Sequence, residues 1–115
     1  MPANTGAVAT AHGTDRDATG DTMTGADALA EVLKREGTKQ VFYFPASPIA
    51  EAIARAGIRL SLARQERVAG NMADGVSRST NARQIGVFAV QESAGSENAF
   101  PGVVHSYTDS TPTLY

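Results

Sequence analysis

The chain has 115 residues, a net charge of −2 from ten Lys and Arg against twelve Asp and Glu, and no cysteine. This length suits one domain, since domains usually hold about 100–150 residues. The absence of cysteine excludes disulfides and thiolate chemistry, and the near-neutral charge argues against nucleic acid as a main partner. Because no apolar run approaches the roughly 20 residues that span a bilayer and no secretory signal pattern is present, we expect a cytoplasmic protein.

Residues 1–22 form a low-complexity segment rich in Ala, Thr, Gly and Asp. Such a segment has too few large apolar side chains to offset the entropy lost on ordering. We therefore predict a disordered tail over residues 1–22, followed by one domain over residues 23–115.

The first half of this domain alternates between helix and strand signals. Thr24 and Asp27 fit a capping box, and Gly37 is a natural helix stop, so a first helix is predicted between them. The apolar run Val41–Phe44 predicts a buried strand. Ser47 and Pro48 then open a second helix as its N-cap and first residue, which ends at Gly57.

The next two elements are a strand at Ile58–Leu62, where apolar residues alternate, and a third helix over about residues 65–79. Small residues at Ala69, Gly70, Ala73 and Gly75 mark this helix. Each glycine inside a helix costs about 1 kcal/mol relative to alanine. We expect close approach by another helix or a ligand in return.

The last part of the chain repeats the alternation. Ile85–Val90 predicts a strand, and Gln91–Ser96 a small polar loop. A fourth helix is predicted over about residues 97–108, where Pro101 is tolerable only in the first turn. A final strand begins at Thr113–Tyr115. We expect the aromatic residues of this part to lie in the core: Phe88, Phe100 and Tyr107.

Alternating strands and helices predict an α/β fold, three-layer α/β/α, with a mainly parallel sheet. Ligands of such sheets gather at the carboxyl ends of the strands. Three loops are expected there: residues 45–47, 64–66 and 91–96.

Glu66 is the main catalytic candidate at this edge. An acid in the first turn of a helix is also favoured by the helix dipole, so its position fits a purely structural role as well. Arg64 and Arg67 are placed to pair with it, which fits an ordinary surface ion pair.

The loop after the third strand is the second candidate. Glycine and serine there let a ligand approach backbone N–H groups, although an ordinary β–α turn has the same composition. Glu92 and Glu97 would repel a phosphate, so an uncharged ring is the better guest. We expect no metal site, because no His, Asp or Glu set has ligand spacing.

Six segments occur in an order and spacing typical of a known family. They are T-G-A-D-A-L at 24–29 with Gly37 and V-F at 41–42, P-A-S at 45–47, R-Q-E at 64–66, A-D-G-V-S-R-S-T at 73–80, Q-E-S-A-G-S-E-N at 91–98 and Y-T-D-S-T-P at 107–112. Together they resemble the N-terminal pyrimidine-binding domain of thiamine-diphosphate-dependent enzymes of the acetolactate synthase type. The resemblance covers the chain from about Thr24 onward.

The resemblance implies a catalytic role for Glu66. In the family, the matching glutamate hydrogen-bonds N1′ of the cofactor's aminopyrimidine, favouring the tautomer that takes the proton from the thiazolium C2. It also implies cofactor contacts from the neighbouring loops: Pro45, Ala46, Glu92, Ser93, Gly95 and Asn98. Thiamine diphosphate is the implied cofactor, and 2-keto acids are the implied substrates of a decarboxylase or carboligase.

The resemblance also implies partners. Family enzymes place the cofactor between subunits, so we expect a homodimer contact through the third helix, where Gly70 and Ala73 would let the partner approach. Mg²⁺ and the diphosphate are expected to bind a separate domain with a G-D-G…N motif, which this sequence lacks. We therefore expect a domain incomplete at its C-terminus and inactive alone.

Two departures from the family pattern indicate a divergent subfamily with a different substrate, not acetolactate synthase itself. Gln65 stands where a histidine is usual, and Glu92-Ser93-Ala94 stands where Ser-Gly-Pro is common.

Two alternatives to a truncated enzyme stay open. One is the pyrimidine half of a split decarboxylase that needs a second chain, and the other is a non-catalytic α/β binding or subunit-contact module.

Overall fold

The computed structural model describes residues 15–16, 22–45 and 49–115. Strand β1 (Asp15–Arg16) pairs antiparallel with β2 (Thr22–Met23). The predicted tail lies mostly outside the described residues, so its disorder stays a prediction. The proposed start of the second helix at Ser47 and Pro48 also lies outside them.

The remaining elements alternate regularly between helix and strand. In chain order they are α1 (Gly25–Arg35), β3 (Gln40–Tyr43), α2 (Ile49–Arg55), β4 (Arg59–Leu62), α3 (Glu66–Ser79), β5 (Gly86–Ala89), α4 (Ala94–Thr108) and β6 (Thr113–Leu114). Four of these strands form one sheet in the order β4-β3-β5-β6, and every neighbouring pair is parallel. The predicted parallel α/β architecture is confirmed.

Helices cover both faces of this sheet. Val41 and Val87 contribute to one core cluster, which they share with residues of α1 and α2. Their neighbours Phe42 and Phe88 belong to a second cluster with residues of α3 and α4. Because successive residues of a strand point to opposite faces, β3 and β5 serve both clusters, and the fold has the predicted three layers.

Helix α1 begins at the predicted capping box. The amide of Asp27 donates to Thr24 Oγ1 over 3.2 Å, and the Thr24 amide donates to Asp27 Oδ2 over 3.2 Å. Arg55 of α2 also donates to Asp27 Oδ1 over 2.6 Å, which ties the two helices of this face together. Thr24 Oγ1 and the guanidinium of Arg55 together hold the pKa of Asp27 at about 2, below its ordinary 3.8.

The four helices end in the same way. After α1, the amide of Thr38 donates to the Leu33 carbonyl and that of Gly37 to the Lys34 carbonyl, which is the Schellman pattern. The left-handed residues at the corresponding positions of the helices are Gly37, Gly57, Asn81 and Ser110. The sequence signals at Gly37 and Gly57 are thus confirmed.

Helix α4 differs from its prediction. It begins at Ala94 rather than near Glu97, so the second half of the predicted loop, residues 94–96, belongs to the first turn of the helix. Pro101 consequently lies inside the helix instead of in its first turn. An interior proline leaves one carbonyl without its helical partner and costs about 3 kcal/mol, so packing must hold this helix together.

That packing comes from close contacts made by glycines. A Cβ at Gly102 would lie 2.9 Å from the Arg67 carbonyl oxygen and 3.2 Å from Gly70 Cα, so only glycine lets α4 approach α3 this closely. On the sheet side, a Cβ at Gly86 would lie 1.8 Å from the Ala73 carbonyl oxygen. Gly70 and Ala73 are therefore buried within the chain, and the expectation that they admit a partner subunit is wrong.

The aromatic residues divide between core and surface. Phe88 is buried as predicted, whereas Phe100 is 64% exposed and Tyr107 is 85% exposed. The prediction that all three are core residues is wrong for the last two. They lie on the side of α4 that faces away from the sheet, because the small residues Ala99, Gly102 and Ser106 occupy its buried side.

Candidate functional site

The carboxyl ends of three parallel strands lie together at one edge of the sheet. Tyr43 is in register with Leu62 of β4 and with Ala89 of β5. The pairing continues past the strands, since the Ala63 amide donates to the Tyr43 carbonyl over 2.8 Å and the Phe44 amide to the Ala89 carbonyl over 3.2 Å. The segments that follow β3, β4 and β5 therefore start side by side.

Glu66 is the first residue of α3 and follows β4 after a short connection. Its predecessor Gln65 has an extended backbone and makes no side-chain cap, so the carboxylate of Glu66 lies at the positive end of the helix. Glu66 is half-buried. Of the ion pairs formed among residues 22–45 and 49–115, none involves Glu66, so the suggested pairing with Arg64 or Arg67 is not seen.

Asn98 approaches Glu66 from the neighbouring helix. Its Nδ2 lies 3.5 Å from Glu66 Oε1, at the long end of the hydrogen-bond range. Asn98 lies in the second turn of α4, and its contact joins the loop region after β5 to the start of α3. Two of the residues singled out from the sequence are thus brought together by the fold.

Ser93 stands at the start of α4 with φ 61° and ψ −108°. This is a region that glycine occupies readily and residues with a Cβ rarely do, at a cost of about 1–3 kcal/mol. In the resemblance described above, the matching position is a glycine. The backbone of Ser93 shows that this chain keeps a glycine-type turn before α4, although serine stands where the family pattern has glycine.

The remaining predicted contact residues differ in how far they are buried. Gly95 is buried, and a Cβ there would lie 3.0 Å from Gln91 Cβ. Glu92 and Pro45 are exposed, and Ala46 lies outside the described residues. Among the side-chain hydrogen bonds of the described part of the chain, only that of Asn98 reaches Glu66.

One aromatic pair at this edge was not predicted. The rings of Phe88 and Tyr115 stack with centroids 4.9 Å apart and planes at 14°. The Tyr115 hydroxyl also donates to Ser96 Oγ in the first turn of α4. This contact follows from the pairing of β5 with β6. Val87 is in register with Leu114, so the next residues, Phe88 and Tyr115, are neighbours.

A cavity of about 510 Å³ lies elsewhere, against the amino ends of the strands. Its walls include Leu29 and Val32 of α1, Ile85 before β5, and Leu114 of β6. Neither Glu66 nor Asn98 lines it. The cavity lies where the sheet is only partly covered, between α1 and β6. This is the end of the strands opposite to the candidate site.

A polar network holds the far ends of α3 and α4. Ser106 Oγ donates to Asp74 Oδ1 over 2.9 Å, while Arg78 donates to Asp74 Oδ2 over 2.5 Å and to Asp109 over 2.7 Å. The guanidinium of Arg78, and to a lesser extent the Ser106 hydroxyl, lowers the pKa of Asp74. Its members are salt-bridged or hydrogen-bonded to one another, which suits a structural role better than proton transfer.

Within the described residues, no group of three His, Asp or Glu side chains is arranged to hold a metal ion. No described helix combines the length and apolar character needed to cross a membrane.

Comparison with known proteins supports the likeness noted in the sequence. The family model for the N-terminal thiamine pyrophosphate (TPP) binding domain of thiamine pyrophosphate enzymes matches residues 23–115. The acetolactate synthase large subunit of Haemophilus influenzae is 34% identical over 96 residues, which cover 80% of this chain and 16% of the relative.

Two further relatives match over a similar length of the chain. The acetolactate synthase isozyme 3 large subunit of Escherichia coli K12 is 33% identical over 96 residues, or 80% of this chain and 16% of the relative. An acetolactate synthase of Arthrospira platensis is 36% identical over 99 residues, or 80% of this chain and 17% of the relative. The chain thus spans about a sixth of these curated relatives, and over residues 23–115 it belongs to the thiamine pyrophosphate enzyme family as an N-terminal TPP-binding domain of the acetolactate synthase-like type.

Proposed function

We propose that this chain binds the aminopyrimidine ring of thiamine diphosphate at the carboxyl edge of its sheet. The observation that carries the proposal is the Glu66–Asn98 pair, which lies near the carboxyl ends of parallel strands, the edge at which ligands of such sheets usually bind. The half-buried carboxylate of Glu66 is a suitable acceptor for a ring N–H, and a charge-assisted bond of this kind is strong when water is excluded.

The roles of the neighbouring residues follow from their placement. Asn98 orients the carboxylate of Glu66 from the side, since its amide is within reach of Oε1. Ser93 and Gly95 shape the turn beneath the ring, where a flat uncharged group fits better than a phosphate beside Glu92. We include Pro45 and Ala46 as contacts from the loop after β3. Thiamine diphosphate, when bound, supplies an electron sink for chemistry on 2-keto acids.

The chain holds one part of the machinery in this proposal. The matched segment covers 16% of the Haemophilus influenzae relative, and the sequence carries no G-D-G…N motif for Mg²⁺ and the diphosphate. We therefore propose that a further domain or a second polypeptide provides these groups, and that the 115 residues alone do not turn over a 2-keto acid. An independent polypeptide with that motif would identify the split arrangement.

We also propose that two copies associate through α3 and α4. Both helices expose large apolar residues on their outer sides: Val68, Met72, Phe100, Val104 and Tyr107. Glu66 and Asn98 lie on the same two helices, so an association through α3 and α4 suits a cofactor held between subunits. The contact thus involves the exposed side of α3 rather than Gly70 and Ala73.

The test of cofactor binding is thermal melting of the purified chain with and without thiamine diphosphate and Mg²⁺. A ligand that binds only the folded state raises the melting temperature in proportion to its affinity. We expect a rise for the native chain and none for Glu66→Gln, which keeps the side-chain size but removes the charge. Glu97→Gln on the exposed side of α4 is the matched control and should keep the rise.

The outcomes separate the proposal from its alternative. A rise that is equal in the native chain and in Glu66→Gln would remove Glu66 from the site and favour a non-catalytic α/β module. Turnover of pyruvate by the 115-residue chain with cofactor and Mg²⁺ would contradict the division of the machinery between domains.

A further inference from the structure

Helices α3 and α4 run parallel and contact each other at a constant sequence offset. Three pairs of residues, each 32 positions apart, meet along the interface at intervals of four residues: Glu66 with Asn98, Gly70 with Gly102, and Asp74 with Ser106. Four residues of helix rise about 6 Å. The candidate site is therefore the first pair of a series that ends about 12 Å away, along the helix axis, at a buried hydrogen bond.

The far end of the series is firmly anchored. Ser106 is 4% exposed, Asp74 is 9% exposed, and their hydrogen bond is 2.9 Å long. Arg78 connects the same carboxylate to Asp109 at the end of α4. A carboxylate buried to this degree needs its partners, because an unsatisfied buried group costs more than the bond itself contributes.

The middle pair permits one alignment of the helices. Gly70 and Gly102 lie so close that a Cβ at Gly102 would be 2.9 Å from the Arg67 carbonyl oxygen. A slip of α4 by one turn would bring Asn98 or Ser106 against Gly70, and either side chain exceeds the space that glycine leaves. A slip by one residue would rotate the facing side by about 100°.

We propose that Ser106 and Asp74 are positioning residues for the candidate site. Their buried hydrogen bond, acting through the Gly70–Gly102 contact, fixes α4 along α3 so that Asn98 lies opposite Glu66. The description of Glu66 and Asn98 as a site rests on the proposed function, whereas the alignment itself is a property of the two helices. Loss of the Ser106 hydroxyl should therefore loosen a side-chain contact that lies two helical turns away.

The experiment is nuclear magnetic resonance of the full chain without ligand. The readouts are the nuclear Overhauser effect between the Asn98 side-chain amide and the Glu66 side chain, and the chemical shifts of that amide. In Ser106→Ala we expect at least a twofold loss of the Overhauser intensity and a shift of the Asn98 amide. Asp74→Asn keeps an oxygen that accepts from Ser106, so it should retain most of the intensity.

Thr24→Ala is the control for general loosening. It removes the cap of α1 on the opposite face of the sheet and should leave the Asn98–Glu66 signal unchanged. An unchanged signal in Ser106→Ala, or an equal loss in Thr24→Ala, would overturn the proposal. Gly102→Ala is an independent second variant, and we expect it to lose the signal as well because its Cβ would lie 2.9 Å from the Arg67 carbonyl oxygen. Because no cofactor is present, failure of thiamine diphosphate binding would leave this result standing.

Discussion

Ser93 carries a strained backbone at the start of α4, and this strain yields a prediction. Its φ of 61° and ψ of −108° suit glycine, and its side chain makes no capping hydrogen bond that would be lost. Replacement by glycine relieves the steric cost but adds flexibility to the unfolded chain. We expect Ser93→Gly to raise the free energy of unfolding by about 1 kcal/mol, measured by urea denaturation.

Ser79→Gly is the comparison for this change. Ser79 is exposed in the last turn of α3 and has ordinary helical geometry, so glycine there should destabilise by about 0.5 kcal/mol. Loss of stability in Ser93→Gly similar to that in Ser79→Gly would show that the turn before α4 is not strained.

Asp27 links stability to pH through its contacts with Thr24 and Arg55. Its pKa in the folded chain is about 2 and its ordinary value is 3.8, so the unfolded chain binds the proton more tightly. Stability from this carboxylate is therefore complete above about pH 4 and is lost as pH falls toward 2. In Asp27→Asn we expect a lower melting temperature than the native chain at pH 6.

The two melting temperatures should converge as pH falls from 4 to 2, because the native carboxylate is then protonated as well. The measurement is thermal unfolding followed by circular dichroism across this range. A constant gap between the two chains at every pH would mean that the charge of Asp27 contributes nothing to the folded state.

At the scale of elements, the contact of α3 with β5 depends on Gly86. A Cβ there would lie 1.8 Å from the Ala73 carbonyl oxygen and 2.4 Å from its carbon, and backbone atoms cannot move aside cheaply. We expect Gly86→Ala to lower the free energy of unfolding by about 3 kcal/mol or more, since overpacking of this kind is at the upper end of its range. Urea denaturation measures it.

Gly75→Ala provides the matched control within α3. Apart from its chain neighbours and the backbone of its own helix, nothing lies within 4 Å of a Cβ at this exposed position. Alanine is the better helix former, so this change should stabilise the chain by up to about 1 kcal/mol. Equal effects from the two substitutions would contradict the close approach of α3 to β5.

The elements differ in how well local sequence determines them. The first helix could be predicted because its signals are local: Thr24 and Asp27 cap it and Gly37 ends it. The start of α4 could not be predicted in this way. Pro101 favours a later start of the helix, and the contact that stabilises the earlier start joins Gly70 and Gly102, which are far apart in sequence. The small residues of α3 are a similar case. The sequence predicted that another helix or a ligand would approach them closely, but it did not identify α4 as that neighbour.

The candidate site shows the same division. Its position at the carboxyl edge and the choice of Glu66 follow from the order of strands and helices and from the resemblance. The contact with Asn98 depends on the alignment of two helices whose residues are 32 positions apart. The stacking of Phe88 on Tyr115 likewise depends on the pairing of β5 with β6, which no local pattern specifies.

At the scale of the whole molecule, the two helical layers differ in what they expose. The layer of α3 and α4 exposes the apolar residues that we propose bind a second copy. Val68 and Val104, which are 38% and 41% exposed, are two of them. The double change Val68→Ser with Val104→Ser removes apolar area from the exposed sides of both helices and keeps Gly70 and Gly102 in place. We expect the native chain to sediment as a dimer and this variant to sediment as a monomer at the same concentration.

The control removes a similar area from the opposite side of the sheet. Ile85 and Leu114 are 52% and 45% exposed and line the cavity beside α1. Ile85→Ser with Leu114→Ser should leave the dimer intact if α3 and α4 form the interface. Dissociation by the control but not by the first variant would place the association at the cavity instead. Because Glu66 and Asn98 are carried by the same two helices, the monomeric variant should also lose affinity for thiamine diphosphate, which the control variant should retain.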